Sequence, residues 1–266
     1  MPHAQVDGLT INYDVQGVGD PLLLIPYLAA DHACYAFQLP AYTEHFSCIC
    51  VDLPGSGESD KPAGPYSTEV YADQLSALLG GIGIERAHVA GVSLGAAVAT
   101  QLAARHPERV RSLSLHSGWD RSDGYLRAVL KLWRSLAQGL PTVADAVIEG
   151  VFPFCFTPEM YDQRLDFAQS LADFVRSRPA QPLEAFLSQT EAVIAHDARH
   201  VLRDIKAPTL VTFGAHDQVT STRFAPSLTG GIAGSELVVF DHLSHAGLHE
   251  DADSFNAASL DFLLRQ

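Results

Sequence analysis

Between an apolar run, Ala87-His88-Val89-Ala90, and a run of small residues from Ala96 to Arg105 stands Gly91-Val92-Ser93-Leu94-Gly95. The flanks read as strand and helix, so these five residues must turn the chain sharply between them. In a turn of pattern G-x-S-x-G, the nucleophile elbow, the serine sits in strained backbone at the apex and its hydroxyl points away from the sheet. Glycine is needed two residues to either side, because a Cβ there would collide with the neighbouring strand or the start of the helix. The helix adds free N–H groups and a positive dipole end, which favour an oxyanion nearby. Ser93 is therefore a candidate nucleophile, on a strand that must lie inside a helix-covered sheet.

The chain in order supports such a sheet. Gln5–Asp7 and Leu9–Val15 flank Gly8 as an opening hairpin, and Pro21 to Ile25 is apolar throughout, as strands covered on both faces are. A helix is expected from Ala33 to Glu44, then a strand from Phe46 to Val51 and a turn-rich loop, Asp52 to Ser59. Ser67 or Thr68 caps a helix to Leu79, with Val70, Leu75, Leu78 and Leu79 on its buried side. After the elbow and its helix, Val110–Leu115 is a further strand. Strand and helix alternate, which implies right-handed crossovers and a parallel sheet with helices on both faces.

From Trp119 to Asp204 strands give way to helical periodicity, broken by Pro141, Pro153, Pro158, Pro179 and Pro182. The chain is thus expected to divide into a core, 1–118 and 205–266, and an inserted helical lid, 119–204, over the site. Aromatic residues concentrate in the lid: Trp133, Phe152, Phe154, Phe156, Tyr161 and Phe167. Most are expected to form the lid's own small core, while some line an apolar pocket, for which Trp133, Phe152 and Phe154 are the candidates. The sheet resumes at Pro208–Phe213 and Glu236–Phe240, and a helix from Asp251 to Leu264 closes the chain.

A length of 266 residues suits one large domain with an insertion. A net charge of -14 without clusters of Lys or Arg argues against a nucleic-acid surface. Met1 to Leu9 has no secretory pattern and no apolar run is long enough to span a membrane, so the expected setting is cytoplasmic. Cys34, Cys48, Cys50 and Cys155 fit buried free thiols. His196 and His200 lie four apart on an expected helix, but no third ligand presents itself; a solvated face is the reading, with neither metal nor cofactor expected.

A serine hydroxyl needs a base within hydrogen-bond reach, itself oriented by an acid. Ligands of parallel sheets bind beyond the strand ends, and two loops follow such ends: Gly214-Ala215-His216-Asp217 and Asp241-His242-Leu243-Ser244-His245. Asp217 is the candidate acid, with Asp120 in reserve. Of His242, His245 and His249 after the last strand, His245 suits both a loop long enough to return over the elbow and a closing helix just beyond; His242 is next.

With these residues in order, the chain resembles the α/β-hydrolases over nearly its full length. Asp52-Leu53-Pro54-Gly55-Ser56-Gly57-Glu58-Ser59 is similar to the family's D-x-x-G-x-G-x-S loop, and Arg105-His106-Pro107-Glu108-Arg109-Val110 to its approach to the next strand. Gly214–Asp217 resembles the family's acid loop, and His245 to Phe255 its H-x4-E-x-P-x2-F, with Ala252 in place of the proline. The resemblance implies an α/β-hydrolase fold, a mostly parallel eight-stranded sheet flanked by helices with a helical lid after the sixth strand, and the order Ser93, Asp217, His245. Within the family, Leu28-Ala29-Ala30-Asp31 with Tyr35 and Gln38 resembles the 3-oxoadipate enol-lactonases and their esterase relatives. That likeness implies an oxyanion hole from the N–H groups of Leu28 and Leu94. Ile25-Pro26-Tyr27 departs from it, where relatives carry His-Gly or small polar residues: Pro26 has no N–H to donate, and Tyr27 brings a phenol beside the oxyanion and into the expected pocket.

The activity implied is hydrolysis of a small carboxylic ester or lactone through an acyl-enzyme on Ser93. Dehalogenases and epoxide hydrolases need a carboxylate at the elbow and are set aside. Carbon–carbon bond hydrolysis of ring-cleavage products, thioester hydrolysis and perhydrolysis use the same triad, and a ligand-binding receptor with little turnover shares the fold. The expected partner is a small-molecule substrate, with no nucleic acid and no membrane.

Overall fold

The computed structural model describes residues 2–266. Eight strands form one sheet: β1 (His3–Val6), β2 (Leu9–Gln16), β3 (Asp20–Ile25), β4 (Phe46–Val51), β5 (Ala87–Val92), β6 (Val110–His116), β7 (Thr209–Gly214) and β8 (Glu236–Phe240). Their order is β1-β2-β4-β3-β5-β6-β7-β8. β1 pairs antiparallel with β2, and β2 with β4, while every later pairing is parallel. The fold is therefore the α/β-hydrolase fold, mostly parallel with flanking helices.

The continuous apolar strands make two cores. On one face Leu23, Ile25, Ile49, Val51 and Val89 pack under helices α2 (Thr68–Gly81) and α3 (Leu94–Arg105). On the other, Leu22, Leu24, Cys48, Cys50 and Val92 pack against Tyr35, Tyr42, Phe255 and Phe262. Neighbouring strand residues thus alternate between two buried faces, each full side-chain burial stabilising by about 1.5–3 kcal/mol. All four cysteines are buried free thiols. No helix among the described residues is long and apolar enough to cross a membrane.

Three local expectations are corrected. The segment 33–44 is a 3₁₀ turn, His32–Tyr35, followed by the short helix α1 (Leu39–Tyr42), because Pro40 has no N–H and starts a helix instead of continuing one. Ser67 caps α2 through Val70 N, but the Val70 side chain is 48% exposed and lies off the buried stripe. Between β6 and β7 run α4 (Gly124–Gly139), α5 (Val143–Ala146), α6 (Phe152–Cys155), α7 (Pro158–Gln163), α8 (Leu165–Ser177) and α9 (Leu183–Ala195). Pro153 does not separate α5 from α6: a π turn over Val147–Val151 joins them, its wider winding accommodating a residue with no N–H to give.

The ends of this helical stretch are stitched together where they leave the sheet, Ala198 N donating to Asp120 O at 2.7 Å and Ser122 N to His196 O at 3.1 Å. After β7 come α10 (Ala225–Gly231), α11 (Gly247–Glu250) and α12 (Ala252–Leu263), the last capped by Asp251.

Candidate active site

Ser93 stands between β5 and α3 with φ 54° and ψ -119°. A Cβ on Gly91 would meet Gly95 O at 2.1 Å, and one on Gly95 would meet Ile25 O at 2.1 Å, so glycine at both positions is a steric requirement. The Gly95 contact also shows how closely the start of α3 abuts the end of β3, which brings Leu94 to the loop that carries Tyr27 and Leu28. Tyr35 pins that loop by donating its hydroxyl to Ile25 O at 2.8 Å, and the buried Gln38, at the start of α1, donates to Leu248 O. Neither the Leu28 nor the Leu94 N–H has a partner among the described residues, which leaves both free to donate.

Three side chains meet over this turn. His245 Nε2 lies 3.0 Å from Ser93 Oγ, and His245 Nδ1 lies 2.8 Å from Asp217 Oδ2. Asp217 Oδ1 also accepts from the N–H groups of Val219 and Thr220, and the buried Thr220 hydroxyl lies 3.0 Å from Asp217 Oδ2. Burial pushes the Asp217 carboxyl up, but His245 and the two amides offset this, and the group sits below its ordinary value. The alternatives lie elsewhere. His242 is solvent-exposed and bonds Asp251 at 2.9 Å, His249 bonds the Tyr27 hydroxyl at 3.0 Å, and the carboxylate hydrogen-bonded to the His245 ring is that of Asp217, not Asp120.

A cavity of about 210 Å³ opens beside Ser93 and His245. Tyr27, Trp133 and Phe152 line it. Phe154 does not: the turn of α6 directs it onto Trp133, with the two rings edge to face at 6.1 Å. The walls also include Phe37, Phe156, Phe167, Leu171, Phe174 and His249, which were not singled out as pocket residues. Phe167, Leu171 and Phe174 fall at i, i+4 and i+7 of α8, a spacing that marks one helix face but not which neighbour it meets. Among the described residues no charged side chain lines the cavity; of Arg127, Lys131, Arg134, Arg164, Asp120, Asp123, Glu149 and Asp166, none reaches it.

Two further groups could be taken for metal sites. His196 is not on a solvated helix face: it follows the end of α9, is 1% exposed and bonds Thr68 Oγ1 at 2.9 Å, while His200 is exposed in a turn. Asp31, His32 and Asp52 bring ligand atoms within 4.8 Å of one another. Their oxygens are already engaged, Asp52 by His32, Asn12 and Glu58 N, and Asp31 by Arg178 and Ala33 N. The cluster organises the Asp52–Ser59 loop against the sheet.

Residues 20–252 match the model of the alpha/beta hydrolase fold. The chain belongs to this family. Among its relatives is a protein of Azorhizobium caulinodans whose name is that of a carbamate hydrolase, 28% identical over 98% of both chains. A pimeloyl-[acyl-carrier protein] methyl ester esterase of Neisseria meningitidis is 32% identical over 85% of this chain and 86% of its own. The crystal structure of an enol-lactonase from Burkholderia xenovorans matches 99% of this hydrolase and 100% of its own chain, with TM-score 0.87 and 28% identity.

Proposed function

We infer that this hydrolase cleaves small carboxylic esters or lactones through an acyl-enzyme on Ser93. The observation that carries the reading is the hydrogen-bonded chain from Ser93 through His245 to Asp217, at 3.0 and 2.8 Å. In this mechanism His245 Nε2 takes the Ser93 proton as Oγ attacks the carbonyl carbon. The N–H groups of Leu28 and Leu94 hold the oxyanion, and Asp217 keeps the Nδ1 proton in place and stabilises the imidazolium. His245 returns the proton to the leaving alkoxide, then activates a water that attacks the acyl-enzyme and releases the acid.

The stitched insertion 119–204 is the cap of this site, since it supplies Trp133, Phe152 and Phe167 to the cavity wall. The buried free thiols support a reducing, cytoplasmic setting. A relative of Paraburkholderia phymatum, 30% identical over 96% of this chain, is named 2-hydroxy-6-oxononadienedioate/2-hydroxy-6-oxononatrienedioate hydrolase. The cavity beside Ser93 has no charged side chain in its wall, whereas the adjoining cavity, which shares Tyr27, Leu28 and Phe152 with it, carries Arg176 and Arg178. The test is hydrolysis of short and medium p-nitrophenyl esters and of lactones by wild type and Ser93→Ala. The variant is expected to lose about 10⁴-fold or more in kcat; near-normal turnover would refute the assignment.

A further inference from the structure

Ser117, the first residue after β6, is buried and holds a left-handed backbone with φ 50°, which a serine adopts only where its surroundings fix it. Its N–H continues the pairing of β6 with β7 by donating to Thr212 O at 2.9 Å. Its other two polar groups turn to the loops of the base and the acid. Ser117 Oγ donates to the main-chain oxygen of His245 at 3.2 Å, and Ser117 O accepts from the Thr220 hydroxyl at 2.9 Å. Thr220 is fully buried three residues after Asp217 and gives that carboxylate its N–H. Its Oγ1 lies 3.0 Å from Asp217 Oδ2 and 3.2 Å from His245 Nδ1. His245 is thus held from the end of β6 at two points, its backbone by Ser117 and its ring by Thr220.

The Thr220 hydroxyl has one proton for three neighbours. Ser117 O, the nearest of them, can only accept, and with the proton given to it the hydroxyl oxygen turns lone pairs alone to the imidazole. An imidazole with its proton on Nε2 would then set a bare Nδ1 lone pair against two oxygens, those of Thr220 and Asp217, whereas a proton on Nδ1 serves both. We propose that Ser117 and Thr220 are positioning residues for His245. Ser117 fixes the loop of the base and aims the Thr220 hydroxyl; Thr220 holds the ring in the tautomer whose Nε2 is free to take the Ser93 proton. This rests on the hydrolase reading above. Neither residue lines the cavity beside Ser93, so both act through His245 and not on the substrate.

Steady-state hydrolysis of p-nitrophenyl butanoate by Thr220→Val, Thr220→Ser and Ser117→Ala, well below their unfolding temperatures, tests this. Thr220→Val keeps the shape of the side chain without its hydroxyl and should lower kcat about tenfold, and Ser117→Ala about threefold. KM should stay as in the wild type, because formation and hydrolysis of the acyl-enzyme both use His245 and slow together. Thr220→Ser returns the hydroxyl and should restore kcat, which a role in packing the threonine methyl would not do. An unchanged kcat in Thr220→Val or Ser117→Ala, a raised KM in place of the lowered kcat, or no recovery in Thr220→Ser would overturn the proposal. If Thr220→Val does not fold, Ser117→Ala decides alone. If the wild type turns over no ester in a Ser93-dependent way, it is the hydrolase reading that has failed. Labelling of Ser93 by a fluorophosphonate, in which Oγ displaces fluoride as His245 takes its proton, then decides the positioning. Labelling about tenfold slower in Thr220→Val and restored in Thr220→Ser supports it, while equal rates in wild type and Thr220→Val, or an unlabelled wild type, overturn it.

Discussion

Asp217 takes hydrogen bonds from Val219 N, Thr220 N and His245 Nδ1, and Thr220 Oγ1 lies within reach of both its carboxylate and Ser117 O. An asparagine in its place could keep the two backbone donors through its oxygen, but its NH₂ would face His245 or displace them. Asp217→Asn is expected to fold and to lose about 10⁴-fold in kcat through the wrong imidazole tautomer, which steady-state kinetics beside thermal unfolding would check. The carboxyl also bears on stability. Its folded pKa is depressed, so its contribution is present above the ordinary carboxylate range and is lost as pH falls through the lower folded value. Asp217→Asn should therefore flatten the acid limb of the stability profile below about pH 4.

At the scale of elements, the elbow is held by backbone against backbone. Gly95→Ala would drive a Cβ to 2.1 Å from Ile25 O, and neither the end of β3 nor the start of α3 can move without disturbing the sheet. Loss of several kcal/mol is expected, on the order of 3 or more, read as a large fall in the denaturant midpoint. Glu250, at the end of α11, joins two elements around the base. One carboxylate oxygen accepts from Thr157 N and Oγ1 before α7, and the other from Ser244 N, next to His245. Glu250→Ala leaves these donors unmatched and should cost about 3 kcal/mol. Because Ser244 precedes the base, kcat should fall as well, whereas a purely distant stability defect would lower only the unfolding temperature.

Across the whole molecule, burial keeps four histidines neutral. Desolvation lowers His116 to about 3 and His88, His196 and His249 to about 4, each from an ordinary 6.5. Unfolding below pH 6.5 lets all four take up protons, so their contribution is complete above 6.5 and is lost as pH falls toward their folded values. His32 works in the opposite direction: its hydrogen bond to Asp52 raises its pKa, and it adds stability below 6.5. Below 6.5 His32 is protonated in both states and drops out of the balance, so unfolding takes up about four protons, or roughly 5 kcal/mol is lost per pH unit. With a total stability on the order of 5–15 kcal/mol, acid unfolding is expected between pH 6 and 4. Denaturant midpoints measured from pH 7.5 to 4.5 would check this, and a flat profile would contradict it.

Local chemistry was enough wherever one covalent or steric fact dominates. Gly91 and Gly95 around Ser93, the unbroken apolar runs of β3 and β5, and the loops after β7 and β8 allow few conformations, so the sheet could be read from the chain, and the loops that bring Asp217 and His245 to Ser93 could be located in it. Pro40 and Pro153 show the limit of that reading, since proline restricts the backbone but neighbouring turns decide whether a helix starts, stops or widens. Tertiary structure alone decided which side chains face the cavity. Phe152 and Phe154 are two residues apart in one short helix, yet one lines the wall and the other packs on Trp133. Tyr27 and His249 are 222 residues apart and meet at 3.0 Å. Helical spacing places residues on a common face, but which element covers that face depends on contacts between distant segments, and these exist only in the folded chain.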